Sequence, residues 1–192
     1  MRDIANFLYE VGMLQKTPRT GFQFLGSGRE SVAEHILRTI FIGYVLVRLD
    51  PSVDELRLLR MCLFHDLPEA RTGDMNYVNK KYVTVDEAKA IRELTETLSF
   101  GGDIAAALEE FNARKTHESL LAHDADQLAL ILQLKEYGDL GNKYSQEWIG
   151  FALKRLGTDV GRRVAEAILQ TDSSHWWFKD KSDWWINGNQ EG

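Results

Sequence analysis

The stretch Phe64 to Asp74, FHDLPEARTGD, closes the aliphatic segment LRLLRMCLF and decides how the rest of the chain is read. Leu, Met and Arg favour helix, so the segment before it reads as helical. Pro68 lacks an amide hydrogen and must stop or restart that helix, which leaves His65 and Asp66 at a helix end. Neighbours in a helix differ by about 100°, yet an imidazole and a carboxylate at such an end can both reach one ion lying between them. Each residue also has an ordinary role: a histidine on an apolar face is more often a hydrogen-bonded core residue, and an aspartate before a proline turn can cap it.

Working outward, Ser31 and Glu34 form a reciprocal capping pair that opens VAEHILRTIFIGYVLVRL, apolar nearly all round and so expected to be central and buried. His35 lies one turn into it and is a candidate further ligand. Ser52 with Glu55 repeats the capping spacing ahead of the HD-bearing helix. Ile4, Phe7, Leu8 and Val11 form an apolar stripe on a first helix, and KTPRTGFQFLGSGRE reads as a long loop whose glycines have neither common phosphate-loop spacing. Further helices are expected in DEAKAIRELTETL, DIAAALEEF, ESLLAHDADQLALILQLKEYG, SQEWIGFALKRL and VGRRVAEAIL. Nothing alternates with a period of two, so the chain is expected to be all-α. Its 192 residues suit one domain over 1–192.

The tail at about 172–192 holds HWWFKDKSDWWI, whose four tryptophans suit cover for the domain or for a second subunit. Asp172, Asp180 and Asp183 beside them argue against a base-stacking platform. With 29 acids against 23 bases the net charge is -6, which disfavours a nucleic-acid polymer but leaves room for a small anionic ligand. Cys62 is the only cysteine, so an intrachain disulfide and a cysteine metal cluster are excluded and a reducing, cytoplasmic setting is expected. No apolar run approaches the roughly 18 residues of a membrane span, and the N-terminus lacks a secretion-signal pattern.

Read together, AEH, FHDLPEARTGD and DADQLALILQLKEYGDL resemble, in order and spacing, the histidine-aspartate (HD) domain metal-dependent phosphohydrolases, nearest the branch with 5'-deoxynucleotidases. The resemblance runs from about Phe7 to Leu140. It implies a helical HD-domain bundle in which His35, His65, Asp66 and Asp126 ligate one divalent metal (Mn, Co, Zn, Fe or Ni). A helical wheel alone favours Asp124 over Asp126, whereas the family pattern selects Asp126. The resemblance further implies that Glu69 and Asp74 serve the attacking water, or a second ion such as magnesium, and that Arg19 grips the substrate phosphate. Electrostatic support of a helix start by Glu69 and a turn at Asp74 are their ordinary alternatives. Thr20 stands where the best-known members carry a tryptophan that helps to exclude ribose. The implied activity is removal of the 5'-phosphate from a nucleoside monophosphate, deoxy or ribo, and the resemblance implies a homodimer. Other phosphoesters, cyclic nucleotides or triphosphates, and a non-catalytic nucleotide-binding module are the competing readings. His117, His123 and His175 are read as structural, and Cys62 as core.

Overall fold

The protein is described from a computed structural model covering residues 1–178 and Gly188. Among these residues there are ten α-helices and no strand, only an isolated bridge between Pro18 and Ser31. The helices are α1 (Arg2–Val11), α2 (Val32–Leu49), α3 (Glu55–Phe64), α4 (Glu69–Thr72), α5 (Glu87–Thr95), α6 (Gly101–Ala113), α7 (His117–Asp139), α8 (Ser145–Leu153), α9 (Asp159–Gln170) and the short α10 (His175–Phe178). Trp184 and Trp185 of the proposed covering tail lie outside the described residues, while Trp176 and Trp177 are exposed.

Helix α7 is the axis, packed against α2, α3, α6, α8 and α9. Its apolar positions Leu121, Leu128, Ile131 and Leu134 are all fully buried. Leu46 from α2 and Leu58, Met61 and Cys62 from α3 join Leu121, Leu128 and Ile131 in one core cluster. A second cluster gathers α1, the start of α2 and helices α5 and α6, and Ile40 and Phe64 pack against both. Burying such side chains stabilises by roughly 1.5–3 kcal/mol each, which offsets the entropy of ordering the chain.

The capping pair at Ser31 and Glu34 forms as the spacing predicts: Ser31 Oγ accepts from the Glu34 amide, and the Glu34 carboxylate accepts from the Ser31 amide. Three expectations are corrected. Helix α2 is buried on one face only; Leu37, Phe41, Tyr44 and Val45 point outward, because a helix beside the α7 axis has an outer side whatever its composition. On α1, Leu8 is exposed while Ile4, Phe7 and Val11 pack inward. Helix α3 is capped by Asp54, which accepts from the Arg57 amide, whereas Ser52 turns back to Asp50.

The segment after α1 is more ordered than a plain loop. Residues 20–24 form a 3-10 turn, and the Val32 and Arg19 amides donate to the Thr17 and Glu30 carbonyls. The two ends of the loop are thereby pinned together at the start of α2. Phe22 and Leu25 anchor its middle against Leu134 and Ile149.

Candidate metal and phosphate site

Helix α3 ends at Phe64, the chain turns through His65 to Pro68, and α4 begins at Glu69. This break places His65 and Asp66 against His35 from α2 and Asp126 from α7. His35 and His65 are buried, and their Nε2 atoms face each other at 3.3 Å. Asp126 Oδ1 lies 3.0 Å from His35 Nε2. Asp66 Oδ2 lies 3.3 Å from His65 Nε2 and 3.6 Å from His35 Nε2.

The donor chemistry fits a divalent cation. His65 Nδ1 is 2.9 Å from the Cys62 carbonyl and donates to it in the neutral ring, which leaves the Nε2 lone pair aimed into the cluster. Ligand atoms of His35, His65 and Asp126 lie within 4.8 Å of one another, a set able to hold a divalent metal. Asp66 Oδ2 stands at the edge of the same set. Two imidazole nitrogens with carboxylate oxygens suit zinc, manganese, iron, cobalt or nickel more than a soft thiolate metal. His35 Nδ1 and Glu69 Oε2 are buried without a hydrogen-bond partner, an expensive arrangement for a purely structural cluster.

The electrostatics follow from this crowding. Burial opposes ionisation of Asp66 and Asp126, but His65 and His35 hold both carboxyls well below the usual range. Burial pulls His65 down, and Asp66 and Asp126 overcome it, raising the imidazole to about 9. His35 goes the other way, lowered by its burial and by Arg19. Glu69 is pushed up to about 9 by burial, then by Asp66 and Asp74.

Arg19 reaches in from the pinned loop, and its Nη1 donates to Asp66 Oδ2 at 3.2 Å. Asp74 follows Gly73, whose φ of 70° permits the turn that ends α4. Asp74 Oδ2 accepts from the Thr20 amide at 2.7 Å, so this acid is pinned to the Arg19 loop. Arg19, Asp66, Glu69, Asp74 and Asp126 line one cleft of about 360 Å³, the size of a small-ligand site.

The aspartate chosen by the helical wheel faces elsewhere. Asp124 is fully buried and accepts from the Gly157 amide at 2.6 Å and from the Thr158 amide and hydroxyl at 2.9 and 2.6 Å. It ties α7 to the start of α9 and does not reach the histidines. His117 pairs with Asp50, His123 stacks on Phe111 at 3.8 Å, and Cys62 is a core thiol that burial raises to about 12. Sequence reasoning passed over Glu30, a buried carboxylate 4.0 Å behind Arg19, and the side chains Gln127, Tyr77, Trp148 and Arg155 that also border the cleft. No spacing marks these residues; the folded loop brings Glu30, the connection after α4 brings Tyr77, α7 carries Gln127, and α8 and the turn after it bring Trp148 and Arg155.

Residues 11–168 match the family described as HD domain. The chain is 31% identical over 148 residues to "5'-deoxynucleotidase HDDC2" of Bos taurus, covering 74% of this chain and 71% of that one. Against the protein of the same name from Dictyostelium discoideum it is 32% identical over 149 residues, covering 71% and 78%. Its fold is similar to a conserved hypothetical protein from Pyrococcus furiosus, with a TM-score of 0.76 and 27% identity over 87% of this chain and 99% of the other.

Proposed function

This chain belongs to the HD-domain family of helical metal-dependent phosphohydrolases, and from that premise we propose that it removes the 5'-phosphate from nucleoside monophosphates. The observation that carries the reading is the convergence of His35 Nε2, His65 Nε2, Asp66 Oδ2 and Asp126 Oδ1 beside Arg19 and the unpartnered Glu69 Oε2. Relatives about 30% identical carry the name 5'-deoxynucleotidase, which supports the same substrate class.

His35, His65, Asp66 and Asp126 would hold the divalent cation. When bound, such an ion lowers the pKa of an attached water and offsets charge on phosphoryl oxygens. Arg19 then serves the substrate: its guanidinium grips phosphate oxygens through parallel hydrogen bonds and orients the ester for in-line displacement. Glu69 holds a proton at Oε2 near neutral pH, since burial, Asp66 and Asp74 push its carboxyl up to about 9, and it accepts one from water only in its ionised form. Asp74, pinned by Thr20, fixes the far side of the cleft, and with Glu69 it offers donors for a second ion such as magnesium. A homodimer belongs to the same reading, with the outward apolar face of α2 at Leu37, Phe41 and Tyr44 as a surface for it.

The test is phosphate release from a panel of deoxy- and ribonucleoside 5'-monophosphates with manganese, cobalt or magnesium, beside thermal unfolding in the same metals. Expected results are turnover with at least one metal and a Tm rise of about 5–10 °C at roughly 100 times Kd, as ligand linkage gives for a chain of this size. Absence of phosphate release across the panel removes the proposal.

A further inference from the structure

The cleft continues past the phosphate-side residues into a wall that gripping a phosphate does not require. Trp148, from α8, lies over Gly21, two residues after Arg19: a Cβ on that glycine would sit 3.7 Å from the indole Cζ3. The indole meets Tyr77 edge to face, with centroids 6.4 Å apart and planes at 77°. The Arg155 guanidinium stands 5.2 Å from the Tyr77 ring centre. Arg155 Nη1 also donates to Gln127 Oε1 at 3.1 Å, and Gln127 Nε2 donates to Asp126 Oδ2 at 2.8 Å. A hydrogen-bonded relay therefore connects the aromatic wall to the donor cluster. Tyr77, Leu130, Trp148 and Arg155 border both the main cleft and an adjoining recess of about 350 Å³, so the two spaces share this wall.

An occupant spanning this space meets a guanidinium at one end and aromatic faces with a leucine at the other. It must carry an anion joined by a short spacer to a flat, weakly polar ring. Tyr77 is 53% exposed, an aromatic left in water where the site opens. We propose that Trp148 and Tyr77, backed by Leu130, form the nucleobase subsite of this cleft, the base stacking on the aromatic wall while Arg19 holds the 5'-phosphate. The proposal rests on the nucleotidase reading and deepens it. Because every base offers a π-face, recognition by stacking accepts purines and pyrimidines alike. Gln127 and Arg155 act as positioning residues, coupling the wall to Asp126.

The experiment measures calorimetric Kd for deoxyadenosine and deoxycytidine 5'-monophosphate and for 2-deoxyribose 5-phosphate, with calcium present. The proteins are wild type, Trp148→Leu and Tyr77→Ala. The last changes an exposed ring and so remains informative if loss of the half-buried indole disturbs folding. Expected is binding of both nucleotides about tenfold or more tighter than the sugar phosphate, with either variant erasing most of that advantage and leaving sugar-phosphate affinity within about twofold. Equal wild-type affinities for all three ligands, or equal losses for all three in Tyr77→Ala, overturn the subsite. Phosphate release by wild type is read separately in magnesium or manganese. Its absence alongside an intact base-dependent difference in Kd removes the nucleotidase reading and leaves the subsite standing.

Discussion

Helix α7 carries two aspartates two residues apart that end in opposite kinds of polar cluster. Asp124 accepts three hydrogen bonds from Gly157 and Thr158, and a Cβ on Gly161 would come within 2.2 Å of its Oδ2, so nothing more fits there. Asp126 faces two imidazole nitrogens, a second aspartate and an arginine, in a cluster where His35 Nδ1 and Glu69 Oε2 find no partner. A saturated buried carboxylate stabilises the fold. An unsaturated cluster of donors raises free energy that only a bound group can recover. The difference marks one face of this helix as architecture and another as chemistry.

The largest effect expected is on the unsaturated side. Asp66→Ala removes a donor and the partner of Arg19, and phosphate release should fall by about 10³-fold or more, roughly 4 kcal/mol of lost transition-state stabilisation. Thermal unfolding without metal should come at a lower temperature near neutral pH, because Arg19 and His65 lose the carboxylate that faces them, and the metal-induced Tm shift should shrink. Activity within tenfold of wild type breaks the comparison.

Next comes the saturated side. Asp124→Ala leaves two amides and a hydroxyl without their acceptor and opens a gap between α7 and the start of α9. A loss of about 3 kcal/mol is expected, which for a chain of this length lowers Tm by about 6–12 °C. The folded fraction should keep kcat within a few-fold. A collapse of kcat at a temperature where the variant is folded would mean that the two aspartates share one role.

How much of this was legible in the sequence divides along the same line. The all-α architecture could be read because capping at Ser31, the proline break at Pro68 and the 3.6-residue periodicity are local rules that the tertiary structure did not override. The His65 and Asp66 break was legible for the same reason. Choosing between Asp124 and Asp126 was not possible from periodicity, since the wheel ranks apolar neighbours and Asp124 has more of them; its carboxylate is buried against backbone amides 33 residues away, which no local pattern encodes. The outward apolar face of α2 misled for a related reason: composition says how much of a helix is apolar, not which side has a neighbour. Glu30, Tyr77 and Trp148 carry no signature at all, because closure of the Arg19 loop, the path of the connection after α4 and the packing of α8 bring them to the cleft.

Glu30 provides an intermediate case. Its side chain is only 6% exposed and stands 4.0 Å from Arg19. Burial pushes its carboxyl up to about 7 against the pull of Arg19 and Arg38. A carboxyl with a raised folded-state pKa binds its proton more tightly folded than unfolded, so the stability it contributes is present at low pH and is lost as pH rises from about 4.5 to about 7. Glu30→Gln removes that dependence. Relative to wild type the variant should gain about 2 kcal/mol between pH 5 and pH 8, the shift being discounted for relaxation around the site. A parallel pair of stability curves across that range would show that Glu30 is ionised at no cost behind Arg19.

The smallest effect tests the acid that stands between the two extremes. Asp74 spends Oδ2 on the Thr20 amide and takes the Thr20 hydroxyl on its carbonyl at 2.9 Å, so it is held like Asp124 yet lines the cleft like Asp126. Thr20→Trp keeps the amide contact, loses the hydroxyl, and adds an indole beside the phosphate clamp. Wild type, with a small side chain there, should turn over ribo- and deoxyribonucleotides at rates within about tenfold of each other, since a sugar hydroxyl meeting no steric or polar barrier discriminates weakly. The variant should shift kcat/KM toward deoxyribonucleotides by roughly three- to tenfold, about 1 kcal/mol. If the preference stays fixed while both rates fall together, the Thr20 contact is positioning Asp74, and that acid belongs with the catalytic cluster.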